Sequence, residues 1–188
     1  MAAAELTSRS RPWPTGLPGA WLLAYAGIWI ATLGSAALVA LTGRRVTHPV
    51  RQLLSLSLTP TGDPPPHLAH VLALAAHNVP IAAWPLLLGV IGADRHRLTG
   101  YLANTMLAGC LLANTLPVGA ALGAYGAPLL PYIPQLPLEW AGLALGASVW
   151  LVQRRRPLTL REGLVWLGLI VGVLLAAAVL ECVAVPHR

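Results

Sequence analysis

Two acidic side chains stand out because each lies within or beside a long apolar run. Glu139 follows three closely spaced prolines and precedes an apolar run that ends at Leu151, and Glu181 lies near the end of the last apolar run. A carboxylate inside hydrocarbon costs several kcal/mol unless it is paired, protonated or hydrated, so it tends to mark a functional site or a specific helix contact. Alternatively, both lie at helix ends in the interfacial zone, where a helix N-terminus also favours Glu139. Both interpretations stay open.

Polar side chains also interrupt the second and third apolar runs. His77 and Asn78 come shortly before Pro80, and Asn104 lies in the following run. One hypothesis places these three polar residues and Glu139 around a shared cavity or proton path. The favoured interpretation is local: Pro80 leaves a backbone carbonyl without its helical donor, and the side chains of His77 and Asn78 hydrogen-bond to it.

The third run carries two asparagines, Asn104 and Asn114, whose spacing puts them close to one face of a helix. We expect them to form interhelical hydrogen bonds, each worth on the order of 1 kcal/mol. Gly109 lies between them, and Gly142 and Gly146 form a small-xxx-small pattern in the fourth run. Small residues at such positions let two helices approach closely, so these three glycines are predicted packing positions.

The sequence motifs of common enzymes and metal sites are missing. The chain has no Walker loop, no dinucleotide fingerprint, no C-x-x-C pair and no serine in a G-x-S-x-G context. His70 and His77 could join a glutamate at a metal ion, but no tight motif such as H-E-x-x-H supports this. We therefore predict no catalytic residue, no cofactor and no metal, and we regard Cys110 and Cys182 as small buried hydrophobes.

The composition is that of a membrane protein. Hydrophobic residues make up 56% of the chain and charged residues 10%, whereas roughly a quarter of the residues in a soluble domain are charged. Lysine is absent, and the arginines behind the net charge of +6 lie at the ends of apolar runs. Arginines at such positions orient membrane helices, so we predict no nucleic-acid partner.

Five apolar stretches predict transmembrane helices, each of which needs about 20 apolar residues. They cover residues 19–41, 67–92, 98–122, 138–153 and 160–185. The predicted fold is an all-α integral membrane bundle of about five transmembrane helices, in one domain of residues 19–188. Pro80 and Pro85 predict that the second helix is kinked or broken midway.

Three segments outside these helices are polar or rich in proline. Residues 1–18 are predicted to form a flexible N-terminal tail, and residues 42–66 and 123–137 are predicted to be interfacial connectors. The prolines of the second connector exclude a continuous helix, because each fixes φ and removes a backbone donor. A proline-rich re-entrant or interfacial segment should therefore precede the fourth span.

The distribution of arginines predicts the orientation. With a cytoplasmic N-terminus, twice as many arginines face the cytoplasm as face outward, in agreement with the positive-inside rule. The cytoplasmic set is then Arg9, Arg11, Arg95, Arg97, Arg154, Arg155, Arg156 and Arg161. The predicted location is the bacterial cytoplasmic membrane, with the N-terminus inside and the C-terminus outside.

An ordered set of short motifs runs from the second span to the end of the chain. Its members are His77-Asn78, Asn104 with Gly109, Pro134 to Glu139, and Glu181 to Pro186. Their order and spacing resemble the stage II sporulation protein M family of multi-pass membrane proteins. That family has an Asn pair, an Asn and a Gly in the next span, a proline-His-Gly-x-x-Glu segment and a closing Glu-to-Pro motif. Here His77 replaces the first Asn, and Gln135-Leu136 replaces the His-Gly pair.

The resemblance implies a multi-pass fold and a tendency to bind partners, since the founding member of the family positions peptidoglycan-remodelling enzymes. We therefore expect a non-enzymatic integral membrane protein that docks or positions other membrane or envelope proteins, as a scaffold of a cell-envelope complex. The lipid bilayer is a partner in any case, and the small-residue faces also allow a homo-oligomer.

Two alternatives to the scaffold stay open. The first is a membrane subunit of a transport or export system, which would require an ATP-binding subunit or an ion gradient. Its polar path would be lined by Glu139, Glu181, His77 and Asn78. The second alternative is an intramembrane enzyme, which the lack of catalytic motifs makes the weakest of the three.

Overall fold

The computed structural model describes residues 17–54, 68–93 and 96–184, and most of these residues lie in helices. The α-helices are α1 (Leu17–Leu41), α2 (Arg44–Leu54), α3 (Leu68–Val90), α4 (Arg97–Tyr125), α5 (Leu136–Gln153) and α6 (Leu160–Ala184), with a 3-10 helix at Ala127–Tyr132 before α5. The described segments contain no β-strand. The predicted all-α class is therefore confirmed.

Four helices, α1, α3, α4 and α6, are long and apolar enough to cross a membrane. α5 has 18 residues, and it carries Glu139 in its first turn and Gln153 at its end. α5 is not among the four helices that are long and apolar enough to cross a membrane. The predicted count of about five spans therefore depends on α5.

α5 lies in the middle of the bundle, where α1, α3 and α6 pack around it. Most of its side chains are buried, and Ala144, Val149 and Trp150 have no exposed surface. A helix enclosed in this way needs little apolar outer surface, because its neighbours rather than lipid cover it. This position explains how α5 accommodates the polar side chains of Glu139, Ser148 and Gln153.

α1 and α5 run antiparallel. The indole N–H of Trp21 donates a hydrogen bond to the carbonyl oxygen of Ala141 (3.3 Å). One turn later in α1, the hydroxyl of Tyr25 donates to the carbonyl oxygen of Pro137 (3.3 Å), one turn earlier in α5. The rings of Trp21 and Tyr25 stack with centroids 5.0 Å apart, so one aromatic pair lines this helix contact.

α3 and α5 run parallel, because residues at equal spacing along both helices meet. Gly146 approaches the backbone of Ala82, and seven residues further on Gln153 lies against Gly89. An added Cβ at Gly146 would overlap the carbonyl oxygen of Ala82. The glycine is therefore what lets the two backbones touch.

α1 and α4 also run parallel, with the same kind of close contact. Gly119 lies against the backbone of Thr32, and Gly123 lies against the backbone of Ala36. α6 then turns back beside α5 after the short turn at 154–159. The direction therefore alternates along the chain in the order α1, α3, α4, α5, α6.

Pro80 and Pro85 both lie inside α3, which is one continuous helix. The alternative of a helix broken midway is therefore wrong. Each proline removes the hydrogen bond to the carbonyl four residues earlier, but the turns on either side of it keep theirs. Pro85 is buried, and α3 packs against both α5 and α6, so contacts along its length keep the helix in one piece.

The two predicted connectors are largely helical where the structure describes them. α2 lies in the first, and Arg51 anchors it to the end of α4: its Nε–H donates to the carbonyl oxygen of Ala124 (2.8 Å), and its guanidinium lies 5.2 Å from the ring centre of Tyr125. In the second, α4 ends at Gly126, whose φ of +68° suits glycine, and the 3-10 helix follows.

Several predictions concern residues outside the described ranges. They are most of the tail at residues 1–18, the end of the first connector at residues 55–66, Arg95 and the closing Pro186.

Candidate functional site

A hydrogen bond between two helices forms the centre of the candidate site. The side-chain amide of Asn78 in α3 donates to Oε1 of Glu139 in α5 (3.3 Å), and both side chains are half-buried. In the parallel register of α3 and α5, Asn78 lies opposite Gly142, about one turn from Glu139, within reach of its side chain. Asn78 therefore binds the glutamate of the neighbouring helix.

A small polar cavity of about 40 Å³ lies beside this hydrogen bond. Asn78, Asn114, Glu139, Trp140 and Leu174 are among the residues that line it, so α3, α4, α5 and α6 all contribute. The indole N–H of Trp140 is buried, and no described atom accepts a hydrogen bond from it. The cavity has room for one or a few waters, since a single water needs about 10–15 Å³ measured in this way.

Glu181 extends the polar group along α6. Its side chain is half-buried near the end of that helix. Glu139 is at the start of α5 and Glu181 near the end of α6, so antiparallel packing brings the two ends together. The structure thus places both glutamates at one end of the bundle.

Two members of the hypothesised cluster, His77 and Asn104, lie elsewhere. His77 is exposed, one position round the helix from Asn78. Asn104 accepts a hydrogen bond from the indole N–H of Trp150 (2.9 Å). Trp150 comes eleven residues after Glu139 in α5, about 16 Å along the helix axis. The hypothesis of a four-residue cluster is therefore wrong for both.

The two asparagines of α4 form different hydrogen bonds. Asn104 joins α4 to α5 through Trp150, as expected of an interhelical contact. Asn114 donates to the carbonyl oxygen of Cys110 in its own helix (2.8 Å), so the interhelical bond predicted for it is wrong. Its position at the cavity instead places it beside Asn78 and Glu139.

The three predicted packing glycines also differ. Gly142 lies against the side chain of Leu174, where an added Cβ would come within 2.7 Å, and Gly146 lies against Ala82. Gly109 is exposed, and an added Cβ there would meet no described atom within 4 Å. The packing predicted for Gly109 thus does not occur between the described helices of this chain.

The sequence analysis did not select two buried polar side chains, Trp140 and Gln153. Trp140 follows Glu139 directly, and its N–H needs an acceptor when buried. Gln153 donates to the carbonyl oxygen of Leu86 in α3 (3.2 Å), while no described atom donates to its own Oε1. The sequence did offer a signal for Gln153, because this residue ends an apolar run just before three arginines.

The fold and the site have the features expected of a multi-pass membrane protein. Four long apolar helices surround or flank a core helix, and polar groups from several helices meet inside the bundle. Comparison of the chain with models of protein families, with curated proteins and with solved structures gives no match.

The Asn78–Glu139 hydrogen bond predicts a measurable loss of stability on substitution. Asn78→Leu is expected to lower the free energy of unfolding by about 1 kcal/mol, because interhelical hydrogen bonds in membrane proteins contribute roughly this much. Glu139→Gln keeps a carbonyl acceptor and should change stability less. Unfolding of the purified protein by SDS in mixed micelles measures both.

His77→Leu is the matched control, because it makes a similar change at an exposed neighbouring residue. Equal losses for His77→Leu and Asn78→Leu would contradict a specific role of the hydrogen bond.

Proposed function

We propose that the chain is an integral protein of the bacterial cytoplasmic membrane, with five helices crossing and α5 as the fourth. The alternating directions of α1, α3, α4, α5 and α6 support this count. An 18-residue α-helix is about 27 Å long, close to the hydrocarbon thickness of about 30 Å. In this arrangement the N-terminus is cytoplasmic and the site of Glu139 and Glu181 is near the outer surface.

We further propose that this protein is a non-enzymatic scaffold that docks other membrane or envelope proteins. The observation that carries the proposal is an exposed small-residue face on α6, formed by Gly168, Gly172 and Ala176. They follow one another at intervals of four residues, and no described atom lies within 4 Å of a Cβ added at either glycine. Small residues at this spacing admit a second helix at close range.

The small residues of α5 are not available to bind a partner helix. Gly142 and Gly146 already contact α6 and α3, so a partner helix cannot reach them while the bundle is intact. The α6 face continues through Val179 and Val183, both exposed, and so offers a path along much of the helix. Its chemistry suits an apolar transmembrane helix. The resemblance to the stage II sporulation protein M family agrees with such a role and stays a prediction.

The transport alternative rests on the polar group around Glu139. Its cavity of about 40 Å³ is too small for a substrate larger than water or an ion, and His77 lies outside it. A transport path would require these helices to separate or a partner subunit to complete it. The scaffold therefore agrees better with the closed packing of α3, α5 and α6.

Large side chains on the small-residue face of α6, the proposed docking face, should prevent a partner helix from binding. Gly168→Leu with Gly172→Leu should reduce the yield of the co-purified partner at least tenfold, because two large side chains hold a partner helix away. Quantitative mass spectrometry after mild-detergent purification from native membranes measures this yield. The fold should tolerate the change, since both side chains enter open space.

Gly109→Leu is the matched control on an exposed position of α4. A partner whose yield is unchanged in the double variant would contradict the docking face. Recovery of only a second copy of the chain would make the face a homo-oligomer interface. Loss of flux in Glu139→Gln with assembly intact, or a co-purified ATP-binding subunit, would favour the transport alternative.

A further inference from the structure

A large apolar groove separates the C-terminal half of α3 from the N-terminal half of α6. Its volume is about 750 Å³, within the range of roughly 300–1,000 Å³ of small-molecule pockets. Trp84, Leu87, Leu164 and Leu167 are among the side chains that line it. The groove is open on one side, and Leu87 and Leu164 are more than half exposed there. In a bilayer, such a groove faces hydrocarbon.

One end of the groove is the turn between α5 and α6, where the lining includes Gln153, Pro157 and Thr159. Arg154 and Arg155 lie between the first two of these residues, and both are exposed. No described side chain forms an ion pair with either of them, so their charges are available to an anion.

Arg156 differs from its two neighbours. Its guanidinium pairs with Glu162 through two hydrogen bonds of 2.7 and 3.1 Å, and this carboxylate raises the pKa of Arg156 above its usual value. Glu162 also accepts from the backbone N–H of Thr159 (2.9 Å), which closes the turn. The pair therefore holds the turn in shape, and Arg154, Arg155 and Arg161 are the exposed arginines next to the groove that form no ion pair among the described residues.

A buried acceptor adds a polar contact at the same end. Gln153 is only 6% exposed and lines the groove, and its Nε2 donates to Leu86. Its Oε1 is buried, and no donor to it is found among the described residues. Buried acceptors are normally satisfied, so a donor is expected from outside the protein. A headgroup hydroxyl would supply one.

We propose that this groove binds one anionic glycerophospholipid with a hydroxyl-bearing headgroup. Acyl chains lie along α3 and α6, the phosphate binds Arg154 and Arg155, and a headgroup hydroxyl donates to Oε1 of Gln153. Guanidinium groups form strong charge-assisted hydrogen bonds with phosphate. The site is separate from the docking face, which runs from Gly168 away from the arginines. The proposal is therefore independent of the scaffold function.

The test measures lipid retention by the full chain. The protein is reconstituted in nanodiscs with equal amounts of phosphatidylglycerol and phosphatidylcholine, released in mild detergent, and analysed by native mass spectrometry. We expect one phosphatidylglycerol to stay bound, preferred at least tenfold over phosphatidylcholine. Arg154→Gln with Arg155→Gln should abolish this preference, since each arginine near anionic lipid contributes about fivefold. Arg45→Gln, an exposed arginine of α2, is the control and should have no effect.

A second variant tests the apolar part of the site. Gly163→Leu places a side chain in the groove, where an added Cβ meets no described atom, and should reduce retention of both lipids. Equal retention of the two lipids by the wild-type chain, or unchanged preference in the double arginine variant, would overturn the proposal. A photo-crosslinking residue in place of Leu164 that captures a protein instead of lipid would overturn it as well.

Discussion

Gly146→Ala is expected to lower the free energy of unfolding by about 3 kcal/mol or more, the upper range for an overpacked interior. The added Cβ would overlap the backbone carbonyl oxygen of Ala82, and a backbone atom cannot rotate away as a side chain can. α3 would have to move away from α5, and the hydrogen bond between Asn78 and Glu139 would lengthen with it.

Unfolding of the purified variant in mixed SDS micelles measures this loss. Gly109→Ala is the matched control, since the same methyl group enters open space at an exposed position of α4. We expect the free energy of unfolding to change by less than about 0.5 kcal/mol. Equal stability of the Gly146 variant and the wild type would show that α3 and α5 do not pack as closely as the structure places them.

Trp150→Ala is the second substitution with a large expected effect. Trp150 has no exposed surface, packs in a cluster with Leu88 and Leu107, and donates to Oδ1 of Asn104. Removing the ring leaves a cavity between α3, α4 and α5 and an asparagine without its donor. We expect a loss of about 3–5 kcal/mol, as for other buried aromatic residues changed to alanine.

Trp150→Phe separates the two contributions. The phenyl ring keeps much of the packing but lacks the N–H. We expect the free energy of unfolding to fall by about 1 kcal/mol for the lost hydrogen bond, with a further loss because the ring is smaller. Trp166→Ala on α6 is the control, because Trp166 is only half-buried. A loss for Trp166→Ala as large as for Trp150→Ala would argue against a special role for the α4–α5 contact.

Much of the fold was predictable from apolar segments and their breaks. The five predicted stretches coincide with α1, α3, α4, α5 and α6, with ends that differ by a few residues. Apolar composition predicts such helices because each must satisfy its own backbone hydrogen bonds where water is absent. The sequence left open whether α3 is kinked or broken, since a proline in sequence does not reveal which neighbours hold the helix together.

The candidate site was only partly predictable. Glu139, Glu181 and Asn78 stand out as polar residues in apolar runs; the structure joins Asn78 to Glu139 and places Glu181 at the same end of the bundle. His77 and Asn104 stand out in the same way and lie elsewhere. Successive side chains of an α-helix are offset by about 100° around its axis, so neighbouring polar residues face different surroundings. Only the packing of the helices decides which of them faces the interior.

The sequence by itself determined the helical class, the approximate helix limits and the apolar surface, because hydrogen bonding and hydrophobicity act locally along the chain. The tertiary structure alone decided that α5 is the central helix, that Gly146 contacts Ala82 while Gly109 contacts no described helix, and that the α3–α6 groove ends beside Arg154. These features depend on which helix faces pair and on their relative direction. Pairing arises from the fit of surfaces distant in sequence, which no local pattern records.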